Sequence, residues 1–203
     1  MSPPAQFALP LDWPQDNGAV AFLTGEANRD AVAGLAGWRD WPVRAAILTG
    51  PRRSGRSLLA RTFARQVGAR VFDDAQDHDE EALFHAWNRA QEEDRPLLLV
   101  ADEVPPHWTP ELPDLVTRLG ASPILRIGDP DDQLLADLFA LHFEARGLHL
   151  PPEAQAYLVA RAPRSYWDAE CLVEAIDRFA IAERARISVP TIRRALEARG
   201  QAA

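Results

Sequence analysis

This chain of 203 residues has one cysteine, Cys171, so it cannot close an internal disulfide, and a reducing compartment, the cytoplasm, is expected. No stretch approaches the ~20 apolar residues that a bilayer-spanning helix needs, so no membrane association is expected. The start, Met1-Ser2-Pro3-Pro4-Ala5, lacks the basic region and apolar run of a secretory signal. Excess positive charge is missing too: the net charge is −8, the wrong sign for general attraction to nucleic acid. The five histidines, at 78, 85, 107, 142 and 149, have no metal-ligand spacing, so a metal site built from side chains alone is not expected. Apolar material is ample. Hydrophobic residues make up 47% of the chain, enough for one substantial core and a smaller second unit.

Residues Gly50-Pro51-Arg52-Arg53-Ser54-Gly55-Arg56-Ser57 fit the phosphate-loop pattern G-x-x-x-x-G-K-[ST], with arginine in the lysine position. In such a loop, backbone N–H groups wrap the phosphates, the basic side chain reaches the terminal oxygens and the hydroxyl ligates Mg²⁺. The flanks agree. Ala45 to Leu48 reads as a buried strand, and Leu58 to Val67 repeats apolar residues at helical spacing. Strand, glycine turn and helix N-terminus together form an anion site; the plainer alternative is an ordinary glycine turn before a helix. Arg56 keeps the charge, but a planar guanidinium is not an ammonium point charge. Nucleotide binding is expected to survive and fast hydrolysis to suffer.

Residues 1–16 are proline-rich and read as an extended tail. Over 17–128, apolar runs at 45–48, 69–72, 97–100 and 123–127 alternate with helical patterns, including one through Ala31, Leu35 and Trp38 and another from about Asp79. This alternation predicts an α/β fold with a parallel sheet. Residues 129–203 carry only helical patterns, the last with Ser188 as its cap, and predict an all-helical unit. Two strand ends compete for the aspartate that faces Mg²⁺. Leu97 to Val100 leading into Ala101-Asp102-Glu103 matches the bare pattern better; Val71-Phe72-Asp73-Asp74 is the other candidate.

Phe22-Leu23-Thr24-Gly25, with Asn28, Arg29 and Ala31 behind it, resembles the adenine-side segment of bacterial replication initiators of the DnaA type. Val104-Pro105-Pro106, followed by Leu112-Pro113-Asp114-Leu115 and by Thr117-Arg118-Leu119, is similar to the stretch after their sensor strand. Trp38-Arg39-Asp40-Trp41-Pro42 and the segment from Asp79 to His85 look closest to the short Hda-type homologues, the regulatory inactivators, in their alphaproteobacterial form. The resemblance covers nearly the whole chain. It implies an AAA+ P-loop sheet with a carboxyl-terminal helical lid, and with one edge strand–helix unit missing between the loop and Asp73. It also implies ADP or ATP on Gly50, Pro51, Arg52, Arg53, Ser54, Gly55, Arg56, Ser57 and Leu58, with Mg²⁺ at Ser57 and Asp73. Asp102 becomes the sensor residue, and Asp74 stands where a catalytic glutamate is usual. The lid position of the family's nucleotide-sensing arginine holds Trp167, and Arg164 is the nearby substitute. Arg118 becomes an arginine finger acting in trans, where the plainer reading is an i,i+4 surface pair with Asp114. A DNA-reading helix-turn-helix unit is absent from the sequence, so direct specific DNA binding is not expected.

Gln6-Phe7-Ala8-Leu9-Pro10-Leu11 resembles the peptide by which Hda-type proteins bind the replication sliding clamp. Gln6 would hydrogen-bond in a polar pocket while Phe7, Leu9 and Leu11 fill an apolar cleft, and Pro10 keeps the segment extended. The alternative is a terminus whose Phe7 and Leu9 pack on their own domain. The expected partners are the DNA polymerase III sliding clamp and the initiator DnaA, and a homodimer is compatible with the family. The expected function is negative regulation of replication initiation by stimulating ATP hydrolysis by DnaA, with weak intrinsic turnover at most. Two other readings compete: an autonomous AAA+ ATPase, and a non-catalytic interaction module with a vestigial nucleotide site.

Overall fold

The aliphatic runs become the centre of a four-stranded parallel sheet in the computed structural model, which describes residues 22–201. The strands are β1 (Ala45–Thr49), β2 (Arg70–Phe72), β3 (Leu97–Val100) and β4 (Ile124–Arg126), in the order β2-β3-β1-β4. Every residue of β1 and β3 is buried, as a parallel strand covered on both faces requires. Alternation divides their side chains between two cores. Ala46, Leu48, Leu98 and Val100 pack with α1 (Glu26–Ala36) and α2 (Arg56–Val67). Ala45, Ile47, Leu97 and Leu99 pack with α3 (Glu80–Glu92) and α4 (Pro113–Ala121).

Only Gly68 and Ala69 separate α2 from β2, and β2 forms the sheet edge beside β3. Gly68 ends α2 in the left-handed conformation (φ 71°), which lets the chain turn straight into the edge strand. The expected parallel sheet is the observed one, and among the described residues no strand lies between α2 and β2. The helical pattern through Trp38 is broken, however. Helix α1 stops at Ala36, Trp38 sits in a short 3₁₀ turn, and Trp41 Nε1 donates to the Gly34 carbonyl at 2.8 Å.

Helices α5 (Asp132–Glu144), α6 (Pro152–Val159), α7 (Tyr166–Glu183) and α8 (Val189–Gln201) form the all-helical region. They share a separate core around Leu135, Phe139, Phe143, Val173, Ile176 and Ile192. Asp131 accepts from Leu134 N–H (2.8 Å), Ser165 from Asp168 N–H (3.2 Å) and Ser188 from Thr191 N–H (3.4 Å), each satisfying a first-turn donor.

Leu134 and Tyr166 cross from this region into the core on the α1–α2 face of the sheet. The Tyr166 hydroxyl donates to the Gly128 carbonyl at 3.1 Å, just beyond β4. Burial first, then the carboxylates of Asp129 and Asp131, push the phenol up from its usual 10 to about 12. A folded-state value above the unfolded one means this stabilisation is complete below pH 10 and is lost as pH rises through 12. An alkaline absorbance titration is expected to lose a step near pH 12 in Tyr166→Phe. The stability of the unaltered protein relative to that variant should fall over the same interval.

Candidate functional site

The loop between β1 and α2 is shaped by close approach and by handedness. A Cβ on Gly50 would lie 2.8 Å from both Cβ and the carbonyl oxygen of Ile127, so only glycine fits where β1 leaves the sheet. Gly55, at the N-cap of α2, is left-handed (φ 85°), and a Cβ there would meet the Phe22 ring at 3.0 Å. Arg53 is also left-handed (φ 65°), an uncommon conformation for a residue with a side chain. Pro51 accepts the Ser54 N–H at 3.2 Å. Among the described residues no protein acceptor takes the N–H groups of Gly55, Arg56 or Ser57. Leu58 sits half-buried in the first turn of α2.

The Ser54 hydroxyl is buried and has no hydrogen-bond partner. A buried polar atom without a partner costs about 1–3 kcal/mol, and beside free N–H donors at a helix N-terminus it suits a bound phosphate. The residues present therefore fit a nucleotide diphosphate. Gly50 to Leu58 would hold it, and Ser57 with Asp73 would hold the metal.

The two acidic strand ends take different partners. The Ser57 hydroxyl donates to Asp73 at 2.9 Å, which brings together the hydroxyl and the carboxylate that the sequence proposed for Mg²⁺. The remoter guanidinium of Arg61 also approaches Asp73 at 3.9 Å. Asp74 is exposed and left-handed (φ 52°), and begins a 3₁₀ turn; the helix cap that follows is Asp79, which accepts from Ala82 N–H at 2.8 Å. Asp102, at the end of β3, forms an ion pair with Arg56, whose Nη1 also donates to the Ala101 carbonyl at 2.7 Å. The Asp102 N–H donates to Gln76, and its carbonyl accepts from Thr49 Oγ1. Arg56 thus lies across the sheet end, well covered, instead of standing free over the loop.

The lid meets the loop through α7. Trp167 lies 5.7 and 5.6 Å from the guanidinium carbons of Arg52 and Arg53, and Arg53 Nε pairs with Glu170 at 3.2 Å. Arg164 is turned elsewhere. It pairs with Asp132 at the start of α5 and donates to the Val159 carbonyl. Arg118 lies on α4, with its guanidinium over Phe84 (5.1 Å) and Trp87 (5.3 Å) and its Nε on Asn88 (3.3 Å). The i,i+4 pair with Asp114 is not among the ion pairs of the described residues. Gln6, Phe7, Leu9, Pro10 and Leu11 lie outside the described residues.

Residues 131–196 match a family model described as Hda, lid domain. The chain is similar to domain III of the Thermotoga maritima replication initiation protein DnaA at 12% identity, covering 89% of this chain and 97% of that one, with a TM-score of 0.71. It is also similar to the Thermotoga maritima RuvB Holliday junction branch migration motor (15% identity, 86% and 69% covered, TM-score 0.62). A third likeness is to replication initiator DnaA bound to AMPPCP and single-stranded DNA (17% identity, 83% and 69% covered, TM-score 0.62). At such identities the likeness is one of fold. The chain has a parallel-sheet, AAA+-like core, and its carboxyl-terminal helices match the Hda lid model over residues 131–196.

Several contacts escaped the sequence reading. Gln76, Thr49, Glu170 and Asn88 all fix site residues through long-range contacts that no local pattern announces. The position of Arg56 did carry a signal: all 22 basic residues of the chain are arginines, so its guanidinium belongs to a chain-wide absence of lysine. The orphaned Ser54 hydroxyl yields a direct check. Ser54→Ala should leave the unfolding free energy of the ligand-free protein unchanged or raise it by up to about 1 kcal/mol. The same change should weaken ADP binding, as measured by calorimetry.

Proposed function

We propose that this protein regulates DNA replication initiation by holding ADP or ATP with Mg²⁺, docking on the DNA polymerase III sliding clamp and stimulating ATP hydrolysis by DnaA. The observation that carries the reading is the setting of Arg118. Its guanidinium lies over the Phe84 and Trp87 rings and its Nε donates to Asn88, while no ion pair takes its terminal nitrogens among the described residues. A guanidinium held in this way is presented without being neutralised, as a finger for a neighbour's nucleotide site must be. Such an arginine stabilises charge on the transferring phosphoryl group, an effect of roughly 10³–10⁵ in rate where measured in GTPases.

On this reading the nucleotide domain spans 17–128 and the lid 129–203, the protein works in the cytoplasm, and a homodimer could use the same surface. Bound nucleotide would supply phosphate oxygens to the metal beside Ser57 and Asp73. Intrinsic turnover is slow because Arg56 is engaged with the sensor residue Asp102 and because Asp74 has a shorter reach than glutamate. Arg164 can serve the nucleotide only by leaving Asp132. One observation favours a second reading, a module whose site is vestigial: the same Arg56–Asp102 pair withholds the loop's basic side chain from a ligand. Clamp binding without ADP affinity would select it.

Arg118→Ala should preserve folding, ADP binding and clamp docking yet abolish stimulation of phosphate release from ATP-loaded DnaA with DNA-loaded clamp present. Arg118→Lys should lose most of the stimulation, because an ammonium cannot offer two parallel donors to a phosphate. Full activity of Arg118→Ala in that assay would leave only a tethering role.

Clamp docking should need Gln6 and Leu9. Changing both to alanine is expected to abolish clamp association while leaving the thermal midpoint of the folded body unchanged. Intact clamp binding after deletion of residues 1–12 would refute the assignment of the tail.

A further inference from the structure

The first turns of α7 present an aromatic ring and a carboxylate to the phosphate loop. Trp167 and Glu170 are three residues apart on one helix face, and both engage the loop's exposed arginines: Trp167 lies near Arg52 and Arg53, and Glu170 pairs with Arg53. The loop's other arginine, Arg56, is tied to Asp102 and the Ala101 carbonyl. The guanidinium groups that remain for an anion at this loop are those of Arg52 and Arg53, and the lid determines where they sit.

We propose that Arg53, steadied by Trp167, is a phosphate-binding residue of this site, and that Glu170 is a built-in competitor which the phosphate displaces. The inference rests on the nucleotide reading given above and assigns its charge. A lid without a basic residue at position 167 contributes an aromatic face, and the loop supplies the cation. Arg53 has a left-handed backbone, and its side chain reaches α7 at Glu170 and Trp167. Exposed pairs such as Arg53–Glu170 contribute little in water and yield readily to a dianionic ligand. When the phosphate takes Arg53, one tie between loop and lid is released, so nucleotide occupancy alters how firmly α7 is held to the loop. Trp167 is a positioning residue here, and Glu170 is a negative one.

The test uses the full chain, with ADP–Mg²⁺ and inorganic pyrophosphate as ligands and adenosine as control. Both phosphate ligands should change tryptophan fluorescence, adenosine should not, and the change should vanish in Trp167→Phe. Arg53→Ala should weaken ADP binding about tenfold, as expected for loss of a charge-assisted hydrogen bond. Glu170→Gln should tighten it by up to about fivefold. Trp167→Leu should weaken binding while Trp167→Phe largely restores it, with thermal midpoints unaltered because the side chain is half-exposed. Retained ADP binding that is indifferent to Arg53→Ala and Glu170→Gln, with Trp167 emission unmoved, would overturn this inference alone. Absence of ADP and pyrophosphate binding by the unaltered protein would overturn the nucleotide reading and this inference with it.

Discussion

Thr49 closes β1 and holds both neighbours of the phosphate loop at once. Its carbonyl accepts the Ile127 N–H at 2.8 Å on one side, and its hydroxyl donates to the Asp102 carbonyl at 3.0 Å on the other. One residue later, Gly50 passes so close to Ile127 that a single added carbon would collide with backbone. Each hydrogen bond is worth only about 0.5–1.5 kcal/mol net, but their joint effect is geometric. They fix the point at which the chain leaves the sheet, and with it the N-terminus of α2, the pairing of Ser57 with Asp73 and the reach of Arg56 to Asp102.

From that fixed point the molecule divides its arginines into distinct jobs. Arg56 braces the sheet end against β3. Arg52 and Arg53 face the lid. Arg118, on α4, lies over Phe84 and Trp87 of α3 and is in none of the ion pairs of the described residues. A lysine-free chain makes this division possible, since a guanidinium can donate in two directions and lie flat on an aromatic ring, which an ammonium does less well. The sheet and the carboxyl-terminal helices meet through contacts of different kinds, among them a part-buried hydrogen bond from Tyr166 to Gly128 and an exposed pair at Arg53 and Glu170, which is weak enough to change.

Much of the fold was legible because burial on both faces leaves an unmistakable mark. Leu97-Leu98-Leu99-Val100 could be read as a central strand from its composition, and the Gly50–Ser57 spacing located the loop. The short path from the phosphate loop to Asp73, with room for only one helix, was legible too, and the absence of an edge unit there was what the family resemblance implied. Other features were hidden because they depend on distant parts of the chain. Nothing local in Gln76 announces that it accepts the Asp102 N–H, and nothing in Glu170 announces Arg53. The expected helix through Trp38 failed for a physical reason: Gly37 interrupts the pattern, and Trp41 folds back onto Gly34 to cap the turn. Arg118 was identified by resemblance, but its aromatic cradle required the packing of α3 on α4.

The central claim is that an AAA+ loop carrying arginine in place of lysine still holds a nucleotide. A crystal structure of the full chain grown with ADP and Mg²⁺ tests it most directly. The account predicts a diphosphate on the N–H groups of Gly55, Arg56 and Ser57, with the Ser54 hydroxyl partnered and the metal between Ser57 and Asp73. A loop without ligand at saturating ADP, with Ser57 still donating to Asp73 and Arg56 still on Asp102, would contradict it.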